Sequence, residues 1–162
     1  MDMAAVTERG PTAGRPTGNT AGEMAGALSG EGAAWAREHL ETDVVGWITT
    51  HAPDGRLQSS VISFLWDGET ILFYSKPATP KIRNIEHTPQ VSFTLNCDRY
   101  GDHYLVIEGL ATIEPSFPSS VDHAVYRAKY SEPLRHWKMD EEQTAAEFSV
   151  PIVIRPTRIR AE

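Results

Sequence analysis

The chain has 162 residues, 40% of them hydrophobic and 23% charged, an ordinary balance for one folded domain with a real core. Its net charge of -7 argues against a general nucleic-acid binder, and no apolar run approaches the roughly 20 residues that span a bilayer. The acidic start at Asp2 and Glu8 lacks the apolar stretch of a secretory leader, and the single cysteine, Cys97, excludes an intrachain disulfide and a cysteine-based zinc site, so the cytoplasm is the expected compartment.

Residues 1–30 are rich in Gly, Ala, Thr and Pro and are expected as a disordered tail, with residues 31–162 as the folded domain. A short helix is expected over 32–40, with Trp35, His39 and Leu40 near one face. Apolar runs then give a strand over 43–50, a turn over 51–56 built on Asp54-Gly55, and a strand over 57–66. An Asp67-Gly68 hairpin turn leads into a strand over 69–75.

The stretch after Tyr74-Ser75 is the most informative in the chain. Thr79 is a good N-cap residue, and Pro80 then falls at the first helical position of a short basic helix. Lys81 and Arg83 follow within its first turn. Cations there oppose the helix dipole, so they are badly placed for stability alone. Beside unpaired backbone N–H groups they would attract an anion, and a phosphate is the natural guest. Asn84 follows as a possible brace.

Residues 90–97 give another strand, 98–102 a turn, and 103–113 a long strand interrupted by Gly109, which marks a bulge or bend. A helix is expected over 118–130, with Val121, Ala124, Val125 and Ala128 as its apolar stripe. Residues 131–139 read as irregular, with His136 and Trp137 as candidates to line a pocket. A last helix over 140–147, capped by Asp140, precedes a strand over 148–159 that Pro151 and Pro156 mark as an edge or bent strand. Many hairpin-linked strands with inserted helices imply a mainly β fold, an antiparallel barrel with peripheral helices.

Ser59 and Ser60 sit mid-strand, so one of them must face inward or toward a ligand. Trp47, Phe64 and Trp66 are assigned to core or dimer interface, and Cys97 to a small buried position within a strand. The six histidines show no metal-ligand spacing, and no nucleophile elbow or dinucleotide fingerprint occurs.

Thr79-Pro80-Lys81 after a strand, extended by Lys81-Ile82-Arg83-Asn84-Ile85 and Pro89-Gln90-Val91-Ser92-Phe93, resembles the pyridoxamine-phosphate-oxidase-like split-barrel superfamily. Within it, the Gln58-Ser59-Ser60-Val61 strand and the Asp67-Gly68 turn are similar to the actinobacterial branch that uses coenzyme F-420, a deazaflavin. The flavin enzymes of the superfamily carry a basic Arg-x-Val-Leu-Leu-Lys type strand where this chain has Gln58-Ser59-Ser60-Val61-Ile62-Ser63. The resemblance implies a homodimer with F-420 in a groove between subunits and hydride transfer to or from a small organic substrate. It implies Thr79, Pro80, Lys81, Arg83 and Asn84 at the phosphate, and Gln58, Ser59, Ser60, Val61, Tyr74 and Ser75 toward the ring, with no catalytic side chain and no metal. The alternatives are an FMN-dependent oxidase or reductase on the same fold, or a non-catalytic F-420 or haem carrier.

Overall fold

The computed structural model describes residues 26–30 and 33–162. The strands are β1 (Val45–His51), β2 (Leu57–Ser63), β3 (Leu65–Trp66), β4 (Ile71–Ser75), β5 (Gln90–Thr94), β6 (Leu105–Ile113) and β7 (Val150–Ala161). The helices are α1 (Ala34–Thr42), α2 (Pro80–His87), α3 (Ala124–Trp137) and α4 (Glu141–Glu147). Most of the expected tail lies outside the described residues. Of the part inside them, Ala27 and Leu28 pack against the core, and the Arg37 guanidinium donates to the Gly30 carbonyl at 3.0 Å.

The strands form one sheet in the order β2-β1-β5-β6-β7-β4-β3, every neighbouring pair antiparallel. Its two outer members, β2 and β3, are consecutive in the chain and separated only by Phe64. The sheet therefore rolls until one strand serves both edges, as a split barrel requires. The expected antiparallel barrel with peripheral helices is what the chain forms. The single strand expected over 57–66 is broken at Phe64, because its two halves pair with different neighbours, β1 and β4.

The turns follow their local chemistry. Gly68 holds φ +99°, and the Asp67 carboxylate accepts from the Glu69 and Thr70 N–H groups at 2.9 and 2.6 Å. Gly109 marks a real irregularity: the β6–β7 register shifts between Glu108 and Gly109. A Cβ on Gly109 would stand 2.6 Å from the Arg155 carbonyl oxygen, so only glycine allows β7 this close.

Inside the barrel Ile48, Phe64, Phe73, Phe93, Ile107 and Ile152 are fully buried. A second cluster joins α3 to the outside of β3, β4 and β7 through Leu65, Leu72, Tyr74, Tyr126, Tyr130 and Val153. This cluster corrects two expectations. The helix begins at Ala124 and runs through Pro133 to Trp137, where an irregular segment was expected. Its buried stripe is Tyr126, Tyr130 and Pro133, whereas Ala124, Val125 and Ala128 are exposed, Val125 by 61%. A proline inside a helix costs about 3 kcal/mol, but burying two tyrosines and the proline ring on the barrel outweighs it. The final helix meets its expectation: the Asp140 carboxylate accepts from the Gln143 N–H at 2.9 Å. Cys97 lies past the end of β5 and is exposed, because the strand stops at Thr94.

Where Phe64 crosses the seam, no ladder partner serves its backbone. The Tyr130 hydroxyl does so instead. It accepts from the Phe64 N–H at 2.6 Å, and its proton faces the carbonyl oxygens of Val44 and Phe64 at 2.7 and 2.8 Å. Beside it, the Lys129 ammonium stands 4.2 Å from the centre of the Phe64 ring, and its nitrogen is buried without a hydrogen-bond partner. Burial pulls its pKa down to about 8, an effect the nearby Asp43 partly opposes.

Two outcomes follow from the seam. Tyr130→Phe keeps the ring but strips the Phe64 backbone of its partner, and urea unfolding should show a loss of about 2–4 kcal/mol. Stability unchanged within about 0.5 kcal/mol would mean the seam is not sealed by this hydroxyl. Lys129 titrates near 8 when folded and near 10.5 when unfolded. Between those values the unfolded chain binds the extra proton, so stability rises with pH across that window. Lys129→Met should melt above the native protein at pH 7, and that margin should shrink from pH 8 to 10.5. A margin independent of pH would show that the ammonium carries no burial cost.

Candidate functional site

β4 ends in Tyr74 and Ser75, both buried, and α2 starts at Pro80, five residues after Ser75. The intervening turn places Ala78 in the left-handed region at φ +57°. Two side chains hold it. The Arg83 guanidinium donates back to the Ala78 carbonyl at 2.9 Å, and the Ser75 hydroxyl donates to the Lys76 carbonyl at 3.2 Å. Thr79 occupies the N-cap position, but its hydroxyl makes no cap hydrogen bond and lies 3.2 Å from the Ser75 oxygen instead. Its carbonyl accepts from the Ile82 and Arg83 N–H groups. Pro80 is exposed at the first helical position.

Asn84 faces the other way. Buried under α2, its amide donates to the Thr50 hydroxyl at 2.9 Å and to the Gln58 side-chain oxygen at 3.1 Å. It therefore pins α2 to the β1–β2 hairpin. Ser60 stands opposite the buried Ile48 and shares its inward face, while Ser59 lies on the outer face, its hydroxyl 2.8 Å from that of Thr49. Alternation along β2 thus sends Gln58 and Ser60 inward and Ser59 and Val61 outward.

Lys81 points into a cavity of about 300 Å³ between the barrel seam and helices α3 and α4. Val45 and Val61 from the barrel, and Tyr126, Leu134 and Trp137 from α3, form its apolar walls, with Tyr74 at the base. The Lys81 ammonium makes no ion pair among the described residues, and burial pushes its pKa below the usual lysine range. The other cations nearby are engaged. Lys76 pairs with Glu147 at 2.6 Å, Arg127 with Glu141 at 2.9 Å, and Arg83 serves its own turn. One half-buried, unpaired ammonium in an apolar cleft can bind an anion attached to a flat apolar body.

Of the residues singled out in the sequence, the structure brings Val61, Tyr74 and Lys81 to one cavity. Ser75, Thr79 and Arg83 build the turn beneath it. Gln58, Ser60 and Asn84 lie on the barrel side of α2. Trp137 lines the cavity, while His136 is not among its lining residues. The sequence reading missed the helical wall, Tyr126, Arg127, Leu134 and Glu141. Its signal was the spacing Tyr126-x-x-x-Tyr130, whose rings stack at 4.5 Å.

Residues 34–161 match the pyridoxamine 5'-phosphate oxidase family. Among solved structures, an F-420 reductase is 30% identical, with a TM-score of 0.60 over 76% of this chain and 94% of that one. A Listeria innocua protein assigned as a pyridoxamine 5'-phosphate oxidase is 26% identical, with a TM-score of 0.58 over 78% of this chain and 94% of that one. The haem storage protein HutZ of Vibrio cholerae, 14% identical, shares the fold with a TM-score of 0.55 over 78% of this chain and 92% of that one. No curated protein matches the chain in sequence.

Proposed function

The chain belongs to the pyridoxamine 5'-phosphate oxidase family, and from that premise we propose that it is a reductase that binds coenzyme F-420 and serves a small organic substrate. Lys81 carries this reading: a half-buried, unpaired ammonium at the edge of an apolar cavity suits the phosphate of a cofactor whose ring is flat and apolar. Two further observations support the deazaflavin over FMN. The strand over 58–63 is neutral where flavin enzymes of the family are basic, and the F-420 reductase resembles the chain at 30% identity.

The deazaflavin, when bound, supplies hydride chemistry. The chain supplies position and dryness. Lys81 would neutralise the phosphate, with Thr79 beside it on the same turn. The outward Ser59 and the backbone of β2 would offer polar groups to the ring. Tyr126, Leu134 and Trp137 would exclude water from one side of it. No side chain is required as a general acid, and none is assigned.

The outer sheet face supports the homodimer. Trp47 is 42% exposed, its β2 neighbour Val61 51%, and Leu57 66%. These are large apolar groups on one face, and Val61 also lines the cavity, so a second subunit seated there would close the cofactor groove.

Titration of cofactor fluorescence tests the assignment. F-420 should bind saturably and FMN weakly. Lys81→Ala should weaken F-420 by about 1.5–3 kcal/mol as a charged contact is lost, and Arg83→Ala should cost less because its guanidinium serves the Ala78 turn. Equal affinity of native and Lys81→Ala proteins would remove this lysine from the site. Val61→Glu should turn a dimer into a monomer in sedimentation, and an unchanged sedimentation coefficient would place the subunit contact elsewhere.

A further inference from the structure

Two cations line the cavity, Lys81 and Arg127, and one carboxylate lines it with them, Glu141. The pair between Arg127 and Glu141 is a single contact, Nε to Oε2 at 2.9 Å. The two terminal nitrogens of the guanidinium make no hydrogen bond among the described residues. A fork that can grip two oxygens at once is held here by one, the weaker of its binding modes. Glu141 is the first residue of α4, where a negative charge is favoured by the helix dipole. Asp140 and Glu142 already supply that charge, so the helix has no need of a third carboxylate turned into a cavity whose other charged lining residues are both cations. The far end of α4 is tied separately, by Lys76 to Glu147.

We propose that Arg127 is the second anion-binding residue of the cavity, and that Glu141 is an internal carboxylate that occupies it until an anionic group of the ligand takes its place. The ligand class is then a flat apolar body bearing a phosphate that meets Lys81 and Arg127 together. Glu141 is a built-in competitor: it keeps the guanidinium at the cavity while empty and lowers the affinity for weak anions. The choice of F-420 as ligand rests on the function proposed above, whereas the competition itself does not, because any phosphate-bearing probe would feel it.

The experiment measures dissociation constants of F-420 by fluorescence and of inorganic pyrophosphate by calorimetry for the native protein and four variants, each first checked for native melting. Glu141→Gln should tighten both ligands by about two- to fivefold, the range set by an exposed ion pair. Arg127→Gln should weaken both by roughly tenfold, as expected when a charged hydrogen bond is lost. In the double variant the gain from Glu141→Gln should vanish, because there is no guanidinium left to release. Glu147→Gln loosens α4 without touching Arg127 and should leave both constants unchanged. A gain from Glu147→Gln equal to that from Glu141→Gln would overturn competition in favour of general loosening of α4. So would a gain from Glu141→Gln that survives in the double variant, or no gain at all. Pyrophosphate binding that follows the expected pattern while F-420 and FMN both fail to bind would uphold the competition and sink the cofactor assignment. No binding of pyrophosphate or either cofactor to any variant would sink both.

Discussion

The hydroxyl of Tyr130 is the point on which the architecture turns. A sheet whose two edges are consecutive pieces of one strand must leave a residue between them that neither ladder can serve, and that residue is Phe64. Its ring is an internal wedge, edge-on to Phe93 at 4.9 Å, so its backbone cannot move out to water. A buried peptide group without a partner is costly, and one phenol outside the barrel meets both its N–H and its carbonyl. The same contact includes the Val44 carbonyl just before β1, so it ties both sides of the seam to α3.

From that attachment the cavity follows. Holding α3 over the seam brings Tyr126, Arg127, Leu134 and Trp137 to face Val45 and Val61 across a gap the helix does not fill. Tyr126, stacked on Tyr130, sits edge-on to Tyr74, whose hydroxyl donates to the Pro118 carbonyl and whose pKa burial raises to about 12. The aromatic base is therefore neutral and fixed at ordinary pH. The basic helix α2 enters from below, held in its own orientation by Asn84, and delivers Lys81 to the rim. Fold and site are thus not separable: the element that seals the barrel is also the wall of the pocket.

Of the two cations that line the cavity, Arg127 faces a carboxylate, Glu141, at 2.9 Å, and nearby Lys76 faces Glu147 at 2.6 Å; these exposed pairs contribute little to stability. Lys81 alone among the cations at the cavity has been taken partly out of water without such compensation. Burying an ammonium unpaired is unfavourable for folding, and such local conflict with stability is common where a charged ligand completes the site.

The sequence by itself determined the local and periodic features. The Asp67-Gly68 turn, the bulge at Gly109, the Asp140 cap and Pro80 opening α2 each depend on one or two residues and their immediate backbone. The run of hairpin-linked strands with inserted helices sufficed to indicate a barrel, and the placement of Lys81 within the first turn of a short helix sufficed to single it out. Only the tertiary structure decided the rest. Phe64 breaks what reads as one strand because its halves pair with strands far apart in sequence. Pro133 fails to end α3 because buried tyrosines hold the helix to the barrel. Arg83 donates back to the Ala78 carbonyl and Arg127 reaches across to Glu141 on α4, because a guanidinium serves whichever oxygen lies within reach, and reach is set by packing between elements.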